Sequence, residues 1–207
     1  MELGLAGGET LYVSSVHLFK ITPELMRMWA RLLKNGRRAR LALTPVAADY
    51  MRPFARRLGK VIDAACREVG VARERVLVLE VQGREPVGRV LAAADVYLDS
   101  FPYSGPTSAL EALLAGVPVV CLAGRAFRGT FVAGLLKTLA LDQCVAATEA
   151  EYVTLARRLA EGGALRREVC ERMREQLPGA RFFNPELVAG DLDRVLSRLA
   201  PRPARRP

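Results

Sequence analysis

Three short segments carry residue types that could do chemistry. The first is Ser14-Ser15-Val16-His17-Leu18-Phe19-Lys20. It offers hydroxyls, an imidazole and an ammonium just ahead of a helix start, a set that suits a phosphate. From composition alone, a polar loop with a solvated lysine is the stronger reading. The second runs from Asp99 to Glu111, DSFPYSGPTSALE. Pro102 and Gly105 shape a tight turn. Thr107 and Ser108 then bring hydroxyls and free backbone N–H groups to a helix start, which makes an anion cradle. Glu111, one turn further on, places a carboxylate where a ribose diol could be held. The same residues also read as a plain capped helix, with Thr107 as the cap. Against that, Glu111 falls one position late for a capping box. The third segment, Gly124 to Thr130, again leads into a helix, and Arg128 is placed to assist a diphosphate or a leaving group. A surface arginine is the competing reading.

Elements that alternate in type must position these segments. Leu11–Ser14, Ala39–Leu43, Val76–Val81, Val96–Leu98, Val119–Leu122 and Gln143–Ala146 read as short strands. Most are continuous apolar runs, the pattern of a parallel sheet covered on both faces. Thr22-Pro23-Glu24 opens a helix with a capping hydroxyl, a proline at the first helical position and an acid at the positive end. Asn35-Gly36 closes it. Further helices are expected over 53–69, with a break near Gly59, and over 86–94, 107–115, 131–139, 149–161, 164–175 and 185–199. The fold class is therefore α/β, a doubly wound, mainly parallel, Rossmann-like sheet, with one domain over 10–200. Residues 1–9 form a lead-in and 201–207 a basic, disordered tail. In such a sheet ligands bind beyond the carboxyl ends of the strands, where all three segments fall.

Composition removes several classes of function. The chain has 207 residues, of which 51% are hydrophobic and 26% charged, which excludes a disordered protein. The net charge is +9. Lysine occurs only at 20, 34, 60 and 137, so 27 of the 31 basic residues are arginine. They are scattered along nearly every helix with no interleaved aromatics, so no nucleic-acid partner is expected. No apolar run reaches the roughly 18 residues of a membrane span, so no membrane partner is expected and the default location is the cytoplasm. Cys66, Cys121, Cys144 and Cys170 are far apart and His17 is the only histidine. No metal site follows, and the cysteines read as reduced, buried residues. The phosphate-loop lysine pattern, GxGxxG and GxSxG are all absent.

Three stretches taken in order resemble a known family. LFKITPELMRMWARLLKN, LDSFPYSGPTSALEALLAGVPVVCLAG and EYVTLARRLAEGGALRREVCERM are similar to the C-terminal catalytic half of O-GlcNAc transferases and their SPINDLY-type and bacterial relatives. The resemblance extends from about Tyr12 to Leu199. It implies a nucleotide-sugar site, most simply for UDP-GlcNAc or another UDP-sugar, working without cofactor or metal. It implies an inverting transfer to a serine or threonine of an acceptor protein or peptide. By the same resemblance Lys20 is the catalytic lysine that neutralises the donor diphosphate, and His17 lies near the phosphates. Thr107 and Ser108, after Gly105, supply the helix start that holds the diphosphate. Glu111 binds the ribose, and Arg128 lies close by. Pro106 stands where relatives carry histidine or threonine, and the segment Val87 to Leu91 lacks a histidine that is often present. The family uses two Rossmann-like domains, so an N-terminal Rossmann domain with helical repeats is the partner expected for activity. Two alternatives remain from the sequence: a degenerate UDP-sugar-binding or scaffold module without turnover, and a related glycosyltransferase with another donor or acceptor.

Overall fold

The computed structural model describes residues 8–36, 38–45, 52–79 and 84–199. Six strands form one parallel sheet: β1 (Thr10–Ser14), β2 (Ala39–Leu43), β3 (Val76–Val78), β4 (Val96–Leu98), β5 (Val119–Leu122) and β6 (Val145–Ala146). Their order is β3-β2-β1-β4-β5-β6, so the winding reverses between β1 and β4. Pairing of Tyr12 with Val96 and Val13 with Tyr97 fixes the register across that reversal. β1, β2 and β3 follow one another outward on one side, and the chain then crosses back past β2 to place β4 beside β1, with β5 and β6 following on the other side. At the reversal, the loops after β1 and β4 turn to opposite sides and leave a crevice between them.

Two helical layers cover the sheet. α1 (Pro23–Asn35) packs against α2 (Arg52–Val69) and α6 (Glu149–Ala160). α4 (Pro106–Leu114) packs between α3 (Arg84–Ala92) and α5 (Phe127–Thr138). Burial on both faces explains why the strands lack polar alternation: β4 and the first three residues of β5 are wholly buried. α1 forms where the sequence predicts. Thr22 Oγ1 accepts the Leu25 N–H at 3.2 Å, and Leu25, Met28, Trp29, Leu32 and Leu33 line the buried face at helical spacing. α7 (Ala164–Gln176) packs on α6, whereas α8 (Pro185–Leu199) contacts mainly the 3₁₀ turn Arg181–Phe183. Among the described residues, no helix is long and apolar enough to cross a membrane.

Several expected boundaries move. α2 runs unbroken through Gly59, because one glycine costs only about 1 kcal/mol in a helix that packing supports. β3 ends at Val78; Leu79 lies beyond it, and Glu80 and Val81 are outside the described residues, as are most of the lead-in and the whole tail. α5 starts at Phe127, four residues before the expected start. Cys66, Cys121 and Cys144 are buried, while Cys170 is half-buried.

Candidate functional site

The three segments meet at the carboxyl ends of β1, β4 and β5. A hydroxyl ties the first two loops at their roots: Ser14 Oγ donates to Leu98 O at 2.7 Å. Ser15 Oγ accepts from Thr44 Oγ1 at 2.7 Å, which anchors the first loop to the end of β2. The chain then makes a 3₁₀ turn, Leu18–Lys20, with His17 at its start. His17 Nδ1 accepts the Phe19 N–H at 3.4 Å, and the imidazole stacks on the Phe19 ring with centroids 5.0 Å apart. The turn aims Lys20 across the crevice. Its Nζ donates to Ser104 O at 2.8 Å and sits 4.4 Å from the centre of the Tyr103 ring. A lysine 84 residues away in sequence is thereby pinned to the start of α4. Burial lowers the Lys20 pKa, and the facing Asp99 carboxyl opposes that fall.

The second loop differs from its sequence reading in one respect. Gly105, not Thr107, is the N-cap of α4, and no side chain caps it. Pro106 takes the first helical position, where a missing N–H costs nothing. Thr107 and Ser108 are therefore the second and third helical residues. Among the described residues nothing accepts their backbone N–H groups, while the Ala109 N–H already closes onto Gly105 O. Such first-turn amides are the anion-binding end of a helix. The Ser108 hydroxyl is engaged elsewhere: it donates to Ser15 O at 3.0 Å and so fastens α4 to the first loop. The Thr107 side chain is exposed. Glu111 lies one turn further along α4, half-buried.

Gly105 sits at the centre of this contact, where a side chain would be crowded by Val16 but not excluded. A β-carbon on Gly105 would come 3.3 Å from Val16 Cγ1, 3.6 Å from Asp99 Oδ1 and 3.7 Å from Lys20 Nζ. The second and third loops close still more tightly. A β-carbon on Gly129 would meet Pro102 O at 2.8 Å, and Gly124 N donates to Gly129 O at 3.2 Å. Arg128 takes part through its backbone, since its carbonyl accepts both the Ser104 N–H at 3.1 Å and the Ser104 hydroxyl at 3.2 Å. Its side chain is exposed, in the first turn of α5.

The residue missed by the sequence reading is Asp99. It directly follows β4 and is 1% exposed. Its Oδ1 accepts the Gly105 N–H at 2.8 Å. Behind it stands a buried relay: the Tyr152 hydroxyl donates to Asp99 O at 2.8 Å, and the Trp29 indole donates to that hydroxyl at 3.3 Å. Burial pushes the Asp99 carboxyl up to about 7, against the N–H groups of Gly105 and Ser100 and the charge of Lys20. An acid directly after VYL was the available signal, but an acid at a strand end reads as the start of a loop.

The arrangement gathers one ammonium, a helix N-terminus and two free amides at one point of the switch crevice. In charge it suits an anion such as a diphosphate.

The family profile and the curated relatives point to one family. The profile of Glycosyl transferase family 41 matches residues 2–192. The probable UDP-N-acetylglucosamine–peptide N-acetylglucosaminyltransferase SPINDLY of Hordeum vulgare is 32% identical over 174 residues, which cover 83% of this chain and 18% of that protein. The structure of a mutant O-GlcNAc transferase from Thermobaculum terrenum superposes with a TM-score of 0.80 at 30% identity, over 93% of this chain and 36% of that one. Sucrose-phosphate synthase of Thermosynechococcus elongatus superposes with a TM-score of 0.67 at 19% identity, a likeness of fold alone, over 95% of this chain and 47% of that one. The chain thus spans about a fifth of the plant relative and about a third of the bacterial structure.

Proposed function

Because the chain belongs to Glycosyl transferase family 41, we propose that it is the donor-binding half of a UDP-GlcNAc-dependent protein O-GlcNAc transferase. The observation that carries the reading is the meeting of Lys20 Nζ with the start of α4 at the strand-order reversal. In the proposed reaction a serine or threonine hydroxyl of an acceptor attacks the anomeric carbon. The bond from that carbon to the diphosphate oxygen breaks, and UDP departs. A single in-line displacement inverts the anomeric configuration. Negative charge grows on the leaving phosphate, and Lys20 with the Thr107 and Ser108 amides stands ready to receive it. These groups do without a metal the charge compensation that a divalent ion performs elsewhere. Glu111, on the same helix one turn inward, is assigned to the ribose hydroxyls, and His17 to the outer phosphate. Arg128 is assigned to the donor only as a long exposed cation at the rim. The base for the acceptor hydroxyl is assigned to a second, N-terminal domain, in keeping with the fraction of its relatives that the chain spans.

Calorimetric titration of the chain with UDP and then UDP-GlcNAc, first without metal and then with magnesium, tests this reading. Binding that magnesium leaves unchanged is expected. A folded chain that ignores both ligands, or that needs magnesium to bind, would overturn it. Pro106, at the first position of α4, offers no side-chain hydrogen bond to a donor there, which favours a second reading, a module that binds a UDP-sugar without turnover. Sugar transfer after addition of an N-terminal half would exclude that alternative.

A further inference from the structure

Behind the diphosphate cradle lies a carboxyl group that the reaction above does not use. Asp99 holds the Gly105 N–H through Oδ1, and its Oδ2 is buried without a partner among the described residues. Asp99 Oδ1 and Lys20 Nζ flank the same glycine, 3.6 and 3.7 Å from where its β-carbon would stand. Nζ nevertheless bonds to Ser104 O, so the lysine remains available to an anion on its outer side. The other titratable groups around Asp99 are neutral. The Tyr97 phenol on β4, the Cys121 thiol on β5 and the Tyr152 phenol on α6 are all held protonated by burial. Glu111 on α4 acts on Tyr97 and is not among the groups that act on Asp99. Lys20 is thus the cation that offsets the Asp99 charge. An anion that docks on Lys20 cancels that offset and favours the protonated carboxyl. Burial already holds the group at about 7.

We propose that Asp99 is a proton-linked positioning residue, taking up one proton from solvent when a nucleoside diphosphate sugar docks on Lys20 and releasing it when the diphosphate leaves. The inference rests on the donor-site reading above. Its sign is definite. Docking favours the protonated carboxyl, so binding is tightest below neutrality and weakens as pH rises through 7 and above. If docking lifts the carboxyl to between about 8 and 9, affinity falls roughly five- to twentyfold from about pH 6.5 to about pH 8.5.

The test is titration of the full chain with UDP-GlcNAc across that range, in pairs of buffers with different heats of ionisation. UDP-GlcNAc is chosen because both of its phosphates are esterified and lack the second ionisation near about 6 of a phosphate monoester. Uptake of about half a proton near pH 7.5 is expected. Asp99→Asn should abolish it, since the amide oxygen can still accept the Gly105 N–H but takes no proton. Binding with no proton uptake, or uptake that survives Asp99→Asn, overturns the proposal and leaves the donor site standing. Absence of any UDP-GlcNAc binding overturns the donor-site reading and this proposal with it. Should Asp99→Asn fail to fold, a carboxyl-carbon NMR titration of the unaltered chain decides. The Asp99 midpoint rises on saturation with UDP-GlcNAc if the proposal holds and stays in place if it does not.

Discussion

At the residue scale, Lys20 and Asp99 make opposite demands on the same few ångströms. Lys20 brings charge to the crevice, and Asp99 keeps a carboxyl where water cannot reach it. Lys20→Ala is expected to weaken UDP binding by about 1.5 to 3 kcal/mol, the range for a hydrogen bond to a charged group. An unchanged dissociation constant would remove Lys20 from the site. Asp99 also bears on stability. Its folded pKa of about 7 exceeds the ordinary aspartate value of about 3.9, so the folded chain holds that proton more tightly than the unfolded chain. The contribution is full below about pH 4 and is lost as pH rises through 7, up to about 4 kcal/mol if no other group compensates. Asp99→Asn should therefore raise the melting temperature at about pH 8 and flatten its decline between about pH 4 and 8. A variant that melts lower at alkaline pH would show that the Lys20 attraction outweighs burial.

At the element scale, the site is where three loops are pressed together by helices that start just beyond them. The start of α5 is held under the second loop by the approach of Gly129 to Pro102 O. Gly129→Ala forces backbone against backbone, and a loss of about 1 to 3 kcal/mol is expected, with donor affinity falling in parallel. Equal donor affinity in a destabilised variant would mean that α5 supports the fold but not the cradle. α8 stands at the other extreme. It buries no residue completely, and Leu192, Val195, Leu196 and Leu199 on it are all more than half exposed. Removing the residues after Asn184 should shift the melting temperature by no more than a few degrees, since little apolar area returns to water. A collapse in stability would show that α8 belongs to the core. The early start of α5 is also instructive. Phe127-Arg128-Gly129-Thr130 has no helical signature of its own, and Ala126 offers no side-chain cap. What recruits these residues into the helix is tertiary: the Arg128 carbonyl and Gly129 are held against Ser104 and Pro102.

At the scale of the whole molecule, the chain is one α/β sheet unit covering 36% of the bacterial O-GlcNAc transferase structure it superposes on. If a second domain supplies the base and the acceptor cleft, the isolated chain should bind donor yet transfer no sugar. Mixing it with the N-terminal half of a relative should restore transfer to a serine-containing peptide. Transfer by the chain alone would show that acceptor and base are both held here.

The amino-acid order by itself determined the class of fold and most of the element boundaries. Buried parallel strands must be apolar on both faces, and helix starts require caps that are visible locally, as at Thr22 and Thr148. It also picked out the three segments that converge, because hydroxyls, glycines and a lysine at strand ends are recognisable one segment at a time. The tertiary structure alone decided how they meet. That Lys20 bonds to Ser104, that Ser108 is spent on Ser15, and that Gly105 is the cap are consequences of strand order, which brings β1 beside β4 across most of a hundred residues. Asp99 was hidden for the same reason. Its character comes from exclusion of water by Tyr97, Cys121 and Tyr152 on three different elements, and no local pattern records a neighbourhood assembled from distant parts of the chain.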